Sequence, residues 1–201
     1  MKVEIVYTPE EQSLINRLDT PEKVQRFIDK NITYDGGDTI KSFRRVLKSN
    51  RAHCLEGALF TAAILSQHKY PPLILCCEAR DMDHMLFVYR KGGMWGTVGQ
   101  ALHKELKGRE PVYLTLRDLV LSYLPYYWNG DSKKPDRETD LTLRGYTIVD
   151  LAIFEENWIT AKEELHVINS YLYEIPHRWL FPKNKDSVFY RCNDKGVITN
   201  L

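Results

Sequence analysis

Asn50-Arg51-Ala52-His53-Cys54-Leu55-Glu56-Gly57-Ala58-Leu59-Phe60-Thr61-Ala62-Ala63-Ile64-Leu65 decides how this chain is read. A polar, turn-like lead, Lys48-Ser49-Asn50, runs into a segment that is apolar almost all the way round. That pattern predicts a buried helix with the Cys54 thiol in its first turn. A helix N-terminus presents unpaired N–H groups and the positive end of the dipole, and both favour a thiolate. Further on, His84 opens a strand-like run, Met85-Leu86-Phe87-Val88-Tyr89. A cysteine starting a buried helix, followed by a histidine on a strand, suits nucleophilic acyl transfer.

Working outward toward the N-terminus, Thr8-Pro9-Glu10-Glu11 and Thr20-Pro21-Glu22-Lys23 read as helix starts, each a capping threonine before a proline. The second holds only half a capping box, because Lys23 stands where Glu is usual. Val24, Phe27 and Ile28 continue at helical spacing, Tyr34 to Asp38 is a loop, and Thr39 caps a helix through Ile40, Phe43, Val46 and Leu47. Residues 1–7 form a short strand or arm.

Toward the C-terminus, Tyr70-Pro71-Pro72 ends the central helix near Gln67. Leu73 to Cys77 is a strand, Arg80 to Asp83 a turn, His84 to Arg90 a second strand, Lys91-Gly92-Gly93 a hairpin turn and Met94 to Gly99 a third strand. The expected fold class is therefore α+β, a buried helix packed on an antiparallel sheet. Beyond Gln100, Leu116 to Tyr123 reads as helix, Asn129 to Arg137 as a polar surface loop and Tyr146 to Val149 as a strand. Trp158 to Tyr171 reads as a helix, and an aromatic tail with Pro176, Trp179, Phe181 and Pro182 packs back on the body.

The chain has 201 residues, 43% of them hydrophobic, which suits a single domain over 1–201 with a real core. Lys plus Arg number 28 and Asp plus Glu 27, so no global field points to nucleic acid or an anionic membrane. Lys41, Arg44, Arg45, Lys48 and Arg51 cluster locally and read as a solvated helix face. No run has the ~18 apolar residues of a membrane span, and the start does not have the form of a signal peptide. Cys54, Cys76, Cys77 and Cys192 form no disulfide framework, and a reduced, cytoplasmic setting is expected. Adjacent Cys76 and Cys77 point to opposite faces of a strand, which argues against a zinc site with His53, Cys54 and His84. No phosphate loop is present, and no cofactor is expected.

Residues of about 40–100 resemble the transglutaminase-like superfamily, whose members share a papain-like core. The resemblance is carried by Cys54-Leu55-Glu56-Gly57-Ala58 at a helix start, the loop Gln67-His68-Lys69-Tyr70-Pro71-Pro72, His84 opening a strand, and Gly92-Gly93-Met94-Trp95 leading into a Trp-bearing strand. It implies acyl transfer or amide hydrolysis through a thioester on Cys54, with His84 as acid and base and a peptide, protein or small amide as substrate. The family's third residue is usually an aspartate on the Trp-bearing strand, and that place falls at Gly99 here. Gln100, beside it, is the neutral candidate to orient His84 through its amide oxygen, with Thr97 second. Asp83 neighbours His84 but points to the opposite face of the strand.

The plain alternative for Cys54 is a small buried hydrophobe, and for His84 a hydrogen-bonded structural histidine. His53 reads as a helix-start residue and His68 as surface, while His103, His166 and His177 show no partner spacing. Tyr123-Leu124-Pro125-Tyr126-Tyr127-Trp128 reads as packing before it reads as a cleft lining. Two function classes follow: a cysteine acyltransferase or hydrolase, and a non-catalytic module of the same fold used for binding. Choice of water or amine as acceptor, substrate and oligomeric state stay open.

Overall fold

The computed structural model describes residues 5–79, 82–127, 142–155, 157–181, 190–192 and 198–200. The polar stretch Asn129 to Arg137, Pro182 and the Arg80-Asp81 part of the expected turn lie outside the described residues. Two N-terminal helices begin as their threonine–proline pairs dictate. In α1 (Pro9–Arg17) a full capping box forms, the Glu11 N–H donating to Thr8 Oγ1 at 3.2 Å and the Thr8 N–H to Glu11 Oε2 at 2.8 Å. In α2 (Pro21–Asn31) only the Lys23 N–H to Thr20 bond is present, at 3.3 Å.

The chain then forms a two-residue strand β1 (Thr33–Tyr34), helix α3 (Phe43–Ser49) and a two-residue strand β2 (Arg51–Ala52), which pairs with β1 in parallel. The helix expected from Thr39 starts three residues later, capped by Ser42, whose Oγ accepts from the Arg45 N–H at 3.4 Å. Thr39 is drawn elsewhere: its hydroxyl donates to the buried Glu56 carboxylate at 2.8 Å, a stronger, charge-assisted bond.

The central helix α4 spans Cys54–Leu65, and every residue from Leu55 to Leu65 is buried. It lies on the sheet strands β3 (Leu73–Ala79) and β4 (His84–Lys91). Next come β5 (Met94–Val98), β6 (Arg109–Tyr113), α5 (Leu116–Leu121), β7 (Leu143–Asp150), α6 (His166–Glu174) and β8 (Arg178–Trp179). A last hairpin pairs β9 (Tyr190–Cys192) with β10 (Ile198–Asn200). The main sheet is antiparallel throughout, in the order β6-β5-β4-β3-β7-β8. The β4–β5 turn sets Gly92 and Gly93 at φ of 58° and 82°, the left-handed geometry of a tight hairpin. Among the described residues no helix is long and apolar enough to cross a membrane.

Alternation along the strands gives the sheet two apolar faces. Ile74, Cys76, Met85, Phe87 and Tyr89 meet α4 and the N-terminal helices, while Leu75, Cys77, Leu86 and Val88 meet α5, Tyr123, Leu124 and Tyr127. The expected opposite facing of Cys76 and Cys77 is thus observed. The helix expected over Trp158 to Tyr171 is a correction: only its later part is helical, and α6 extends to Glu174. Asn157 turns the chain, its Oδ1 accepting from the Thr160 N–H at 2.9 Å. Backbone groups that a helix would consume instead bond the α3 region, as in Arg44 N–H to Ile159 O at 3.2 Å and Leu165 N–H to Ile40 O at 3.0 Å.

Gly57 lets α4 approach the end of β5, because a Cβ there would stand 2.7 Å from the Cβ of Gln100. Gly57→Ala gains ~1 kcal/mol of helix propensity. It also forces apart two closely packed backbones, an overpacking cost of ~1–3 kcal/mol. A net loss of stability is expected in urea unfolding, and a gain would show that the contact relaxes freely.

Candidate active site

Cys54 is the first residue of α4 and partly exposed, while His84 opens β4 and is 6% exposed. The register Cys77↔His84 and Cys76↔Met85 brings the start of β4 to the start of α4. The groups that act on the Cys54 thiol are the side chains of His53, the helix N-cap, and of His84, together with the Met85 N–H.

Each imidazole is fixed from behind by a backbone carbonyl. His84 Nε2 lies 2.7 Å from the Leu106 carbonyl oxygen, and His53 Nε2 bonds the Thr39 carbonyl. A carbonyl only accepts, so both Nε2 atoms carry hydrogen. Burial opposes ionisation of Cys54. The bonds from His53 and His84, the charge of His84 and the Met85 N–H outweigh it and pull the thiol down to about 5. Burial likewise opposes a charged His53, and its bonds to Cys54 and Thr39 with the nearby Glu56 carboxylate outweigh this and raise its pKa.

The partner of His84 is a correction to the expected one. Gln100 is buried at the end of β5, but its amide is spent elsewhere: Nε2 donates to Ile32 O at 2.6 Å, and Oε1 accepts from the Ala101 N–H at 3.1 Å. Thr97 bonds Tyr123 Oη at 2.6 Å. Asp83 accepts from the Ala79 N–H at 2.9 Å. The Leu106 carbonyl does the orienting, and no sequence signal marks it because any residue type supplies a carbonyl. Its loop is held by Tyr123, which donates to Lys107 O at 3.0 Å, and by Arg109, which donates to Lys107 O at 3.1 Å and lies 4.2 Å over the Tyr123 ring. The rings of Tyr123 and Tyr127 each stand 6.4 Å from that of His84, so the aromatic stretch is packing that also walls the site; Trp128 lies outside the described residues.

The basic cluster expected on a solvated face is largely paired instead. Arg44 binds Glu11 at 2.6 Å and Arg45 binds Glu164, while Lys48 is exposed. Lys41 and Arg51 belong to a chain of ions behind the thiol. Arg51 meets Asp35 at 3.3 Å, Asp35 meets Lys41 Nζ at 2.9 Å, and Lys41 Nζ meets Glu56 at 3.1 Å. The Glu56 carboxylate is fully buried, takes further bonds from Thr39, the Lys41 N–H and the His53 N–H, and lies 3.6 Å from His53 Nε2. Hydrogen bonds from Arg51 and Lys41 hold the Asp35 carboxyl well below the usual carboxylate range.

A pocket of ≈ 510 Å³ is lined by Glu78, Ala79, Met82, Asp83, Tyr173 and His177. Burial first and then the charges of Asp83 and Cys54 raise the Tyr173 pKa. His177, for which the sequence offers no partner, stands 3.2 Å from Cys76 Sγ and 4.0 Å from Glu78. His68 is half-buried on the Ile15 carbonyl rather than plain surface. Among the described residues no group of three or more His, Cys, Asp or Glu side chains is placed to hold a metal ion. No protein-family model matches the chain, and no curated protein matches it.

Proposed function

We propose that this protein is a cysteine-dependent acyltransferase or amide hydrolase with a transglutaminase-like, papain-like core. The observation that carries the reading is the thiol at the start of a buried helix, its pKa lowered by His53 and by a His84 whose Nε2 is fixed by the Leu106 carbonyl. The order of parts, cysteine helix and then antiparallel strands of which one opens with histidine, supports the family likeness.

The chemistry follows from the geometry. The Cys54 thiolate adds to an amide carbonyl carbon, and the carbonyl π pair moves onto oxygen. The Cys54 N–H, free of a helical partner at the first position of α4, faces that developing charge. Collapse re-forms the carbonyl and breaks the C–N bond, and His84 Nδ1 gives its proton to the departing amine. The resulting thioester is attacked by water or a second amine, which yields its proton to His84 as the thiolate leaves.

A neutral carbonyl behind His84, where an enzyme of this kind usually has a carboxylate, favours the second reading, a binding module without chemistry. The two readings part on the thiol. Iodoacetamide alkylation is followed against pH and resolved by peptide mass spectrometry. Cys54 is expected to react in the folded protein with a midpoint near about 5, while Cys76 and Cys77, whose thiols burial pushes well up, stay protected. Cys54 reacting only after unfolding would sink the enzyme reading in favour of the module.

A further inference from the structure

We propose that Arg109 is the positioning residue of the site: its guanidinium clamps the two carbonyls that flank Leu106 and so aims the Leu106 carbonyl at His84. The inference rests on the acyl-transfer reading, in which His84 is acid and base, and deepens it by naming the side chain that directs His84.

The turn that carries Leu106 explains the need for a clamp. Lys104–Leu106 is a single turn of 3₁₀ helix. Its first carbonyls are used within the turn, His103 O by the Leu106 N–H at 3.1 Å and Lys104 O by the Lys107 N–H at 3.2 Å. The carbonyls that follow stand at a helix end, where no helical N–H reaches them. Each is taken by a side chain instead. Arg109 donates through Nη1 to Lys107 O at 3.1 Å and through Nη2 to Glu105 O. Between them, Leu106 O accepts from His84 Nε2 at 2.7 Å. The planar guanidinium fork presents several hydrogens in fixed directions, so one side chain holds both flanking carbonyls at once.

The guanidinium is itself fixed. It lies 4.2 Å over the ring of the fully buried Tyr123 and 5.8 Å from that of Tyr126. Hydrogens run in one direction through the rest of the network. The Arg109 N–H donates to Thr97 Oγ1 at 2.9 Å. Tyr123 gives its only hydrogen to Lys107 O at 3.0 Å, so the Thr97 hydroxyl donates to Tyr123 Oη at 2.6 Å. Lys107 Nζ also meets Asp29 at 2.6 Å, but that pair is partly open to solvent and holds the loop weakly. With Leu106 O in place, neutral His84 keeps its hydrogen on Nε2 and its lone pair on Nδ1, the atom that takes the proton of the attacking water or amine.

The test follows loss of the acetyl group that N-acetylimidazole places on Cys54, read on the Cys54 peptide by mass spectrometry. Wild type, Arg109→Met, His84→Ala and the double variant are compared, with protection of Cys76 and Cys77 from iodoacetamide as the check that each is folded. Slight misplacement of a catalytic group slows a reaction by up to about 10²-fold, so Arg109→Met is expected to lengthen the acetyl lifetime about tenfold to a hundredfold. It is expected to add nothing once His84 is alanine, because Arg109 acts only through that ring. ¹⁵N NMR of histidine is expected to find the His84 hydrogen on Nε2 in wild type and shared between both nitrogens in Arg109→Met. An unchanged lifetime or an unchanged tautomer in Arg109→Met, or equal lengthening with and without His84, overturns the role of Arg109 and leaves that of His84 intact. Folded wild type that takes no acetyl group on Cys54, or that loses it no faster than His84→Ala, overturns the acyl-transfer reading and this inference together. Should Arg109→Met expose Cys76 and Cys77, Arg109→Lys decides, since it keeps a cation over Tyr123 but lacks the fork. A lifetime longer than that of wild type is expected there, and an equal one overturns the proposal.

Discussion

His84→Ala is expected to trap the acyl-enzyme. An N-acyl imidazole carries a reactive leaving group, so it acylates a thiolate without help from a protein acid. The return step differs, because water must lose a proton as it attacks the thioester, and His84 acts on that thiol with its Nε2 held by the Leu106 carbonyl. General base catalysis of this kind contributes about 10²–10⁴-fold. The acyl group on the Cys54 peptide, followed by mass spectrometry, should therefore persist that much longer in His84→Ala than in wild type. Equal lifetimes would mean that His84 takes no part in deacylation.

Lys41→Met is expected to be strongly destabilising. Lys41 is 8% exposed and lies between Asp35 and Glu56. Glu56 is fully buried, and Lys41 supplies two of its bonds, from Nζ at 3.1 Å and from the backbone N–H at 2.8 Å. Methionine fills the space of the lysine stem but leaves the carboxylate without its cation, and breaking a buried pair from one side costs about 3–5 kcal/mol. Urea unfolding monitored by circular dichroism reads this directly. The double variant Lys41→Met, Glu56→Gln should recover part of the loss, since the uncompensated charge is then gone. A loss under about 1 kcal/mol for Lys41→Met would show that water or another cation reaches Glu56.

Much of the local structure was legible from residue types alone. Thr8-Pro9 and Thr20-Pro21 announce helices because a capping hydroxyl and a proline at the first position act within one turn. Gly92-Gly93 announces a hairpin because both residues take positive φ. The misplaced elements are those whose partners are distant in sequence. Thr39 has the form of a cap, yet Glu56, seventeen positions on, claims its hydroxyl. Trp158 to Leu165 has apolar residues at usable spacing, yet α3 takes its backbone groups. Lys41 has the look of a solvated face, and the buried Glu56 draws it inward, while Arg51 stays exposed on Asp35.

For the site, the sequence by itself determined the parts that depend on local pattern: a helix apolar on every side with a cysteine at its start, and a histidine at the head of an alternating strand. Those patterns dictate burial, and burial of α4 against β4 brings Cys54 and His84 together. Tertiary structure alone decided what stands behind them. The group that orients His84 is a backbone carbonyl, which has no residue identity to read. The ring of His53 is held by the Thr39 carbonyl and lies beside Glu56, both brought to it by the fold. A side chain's type fixes which bonds it can make, whereas the bonds it does make depend on which distant groups compete for it inside a core that excludes water.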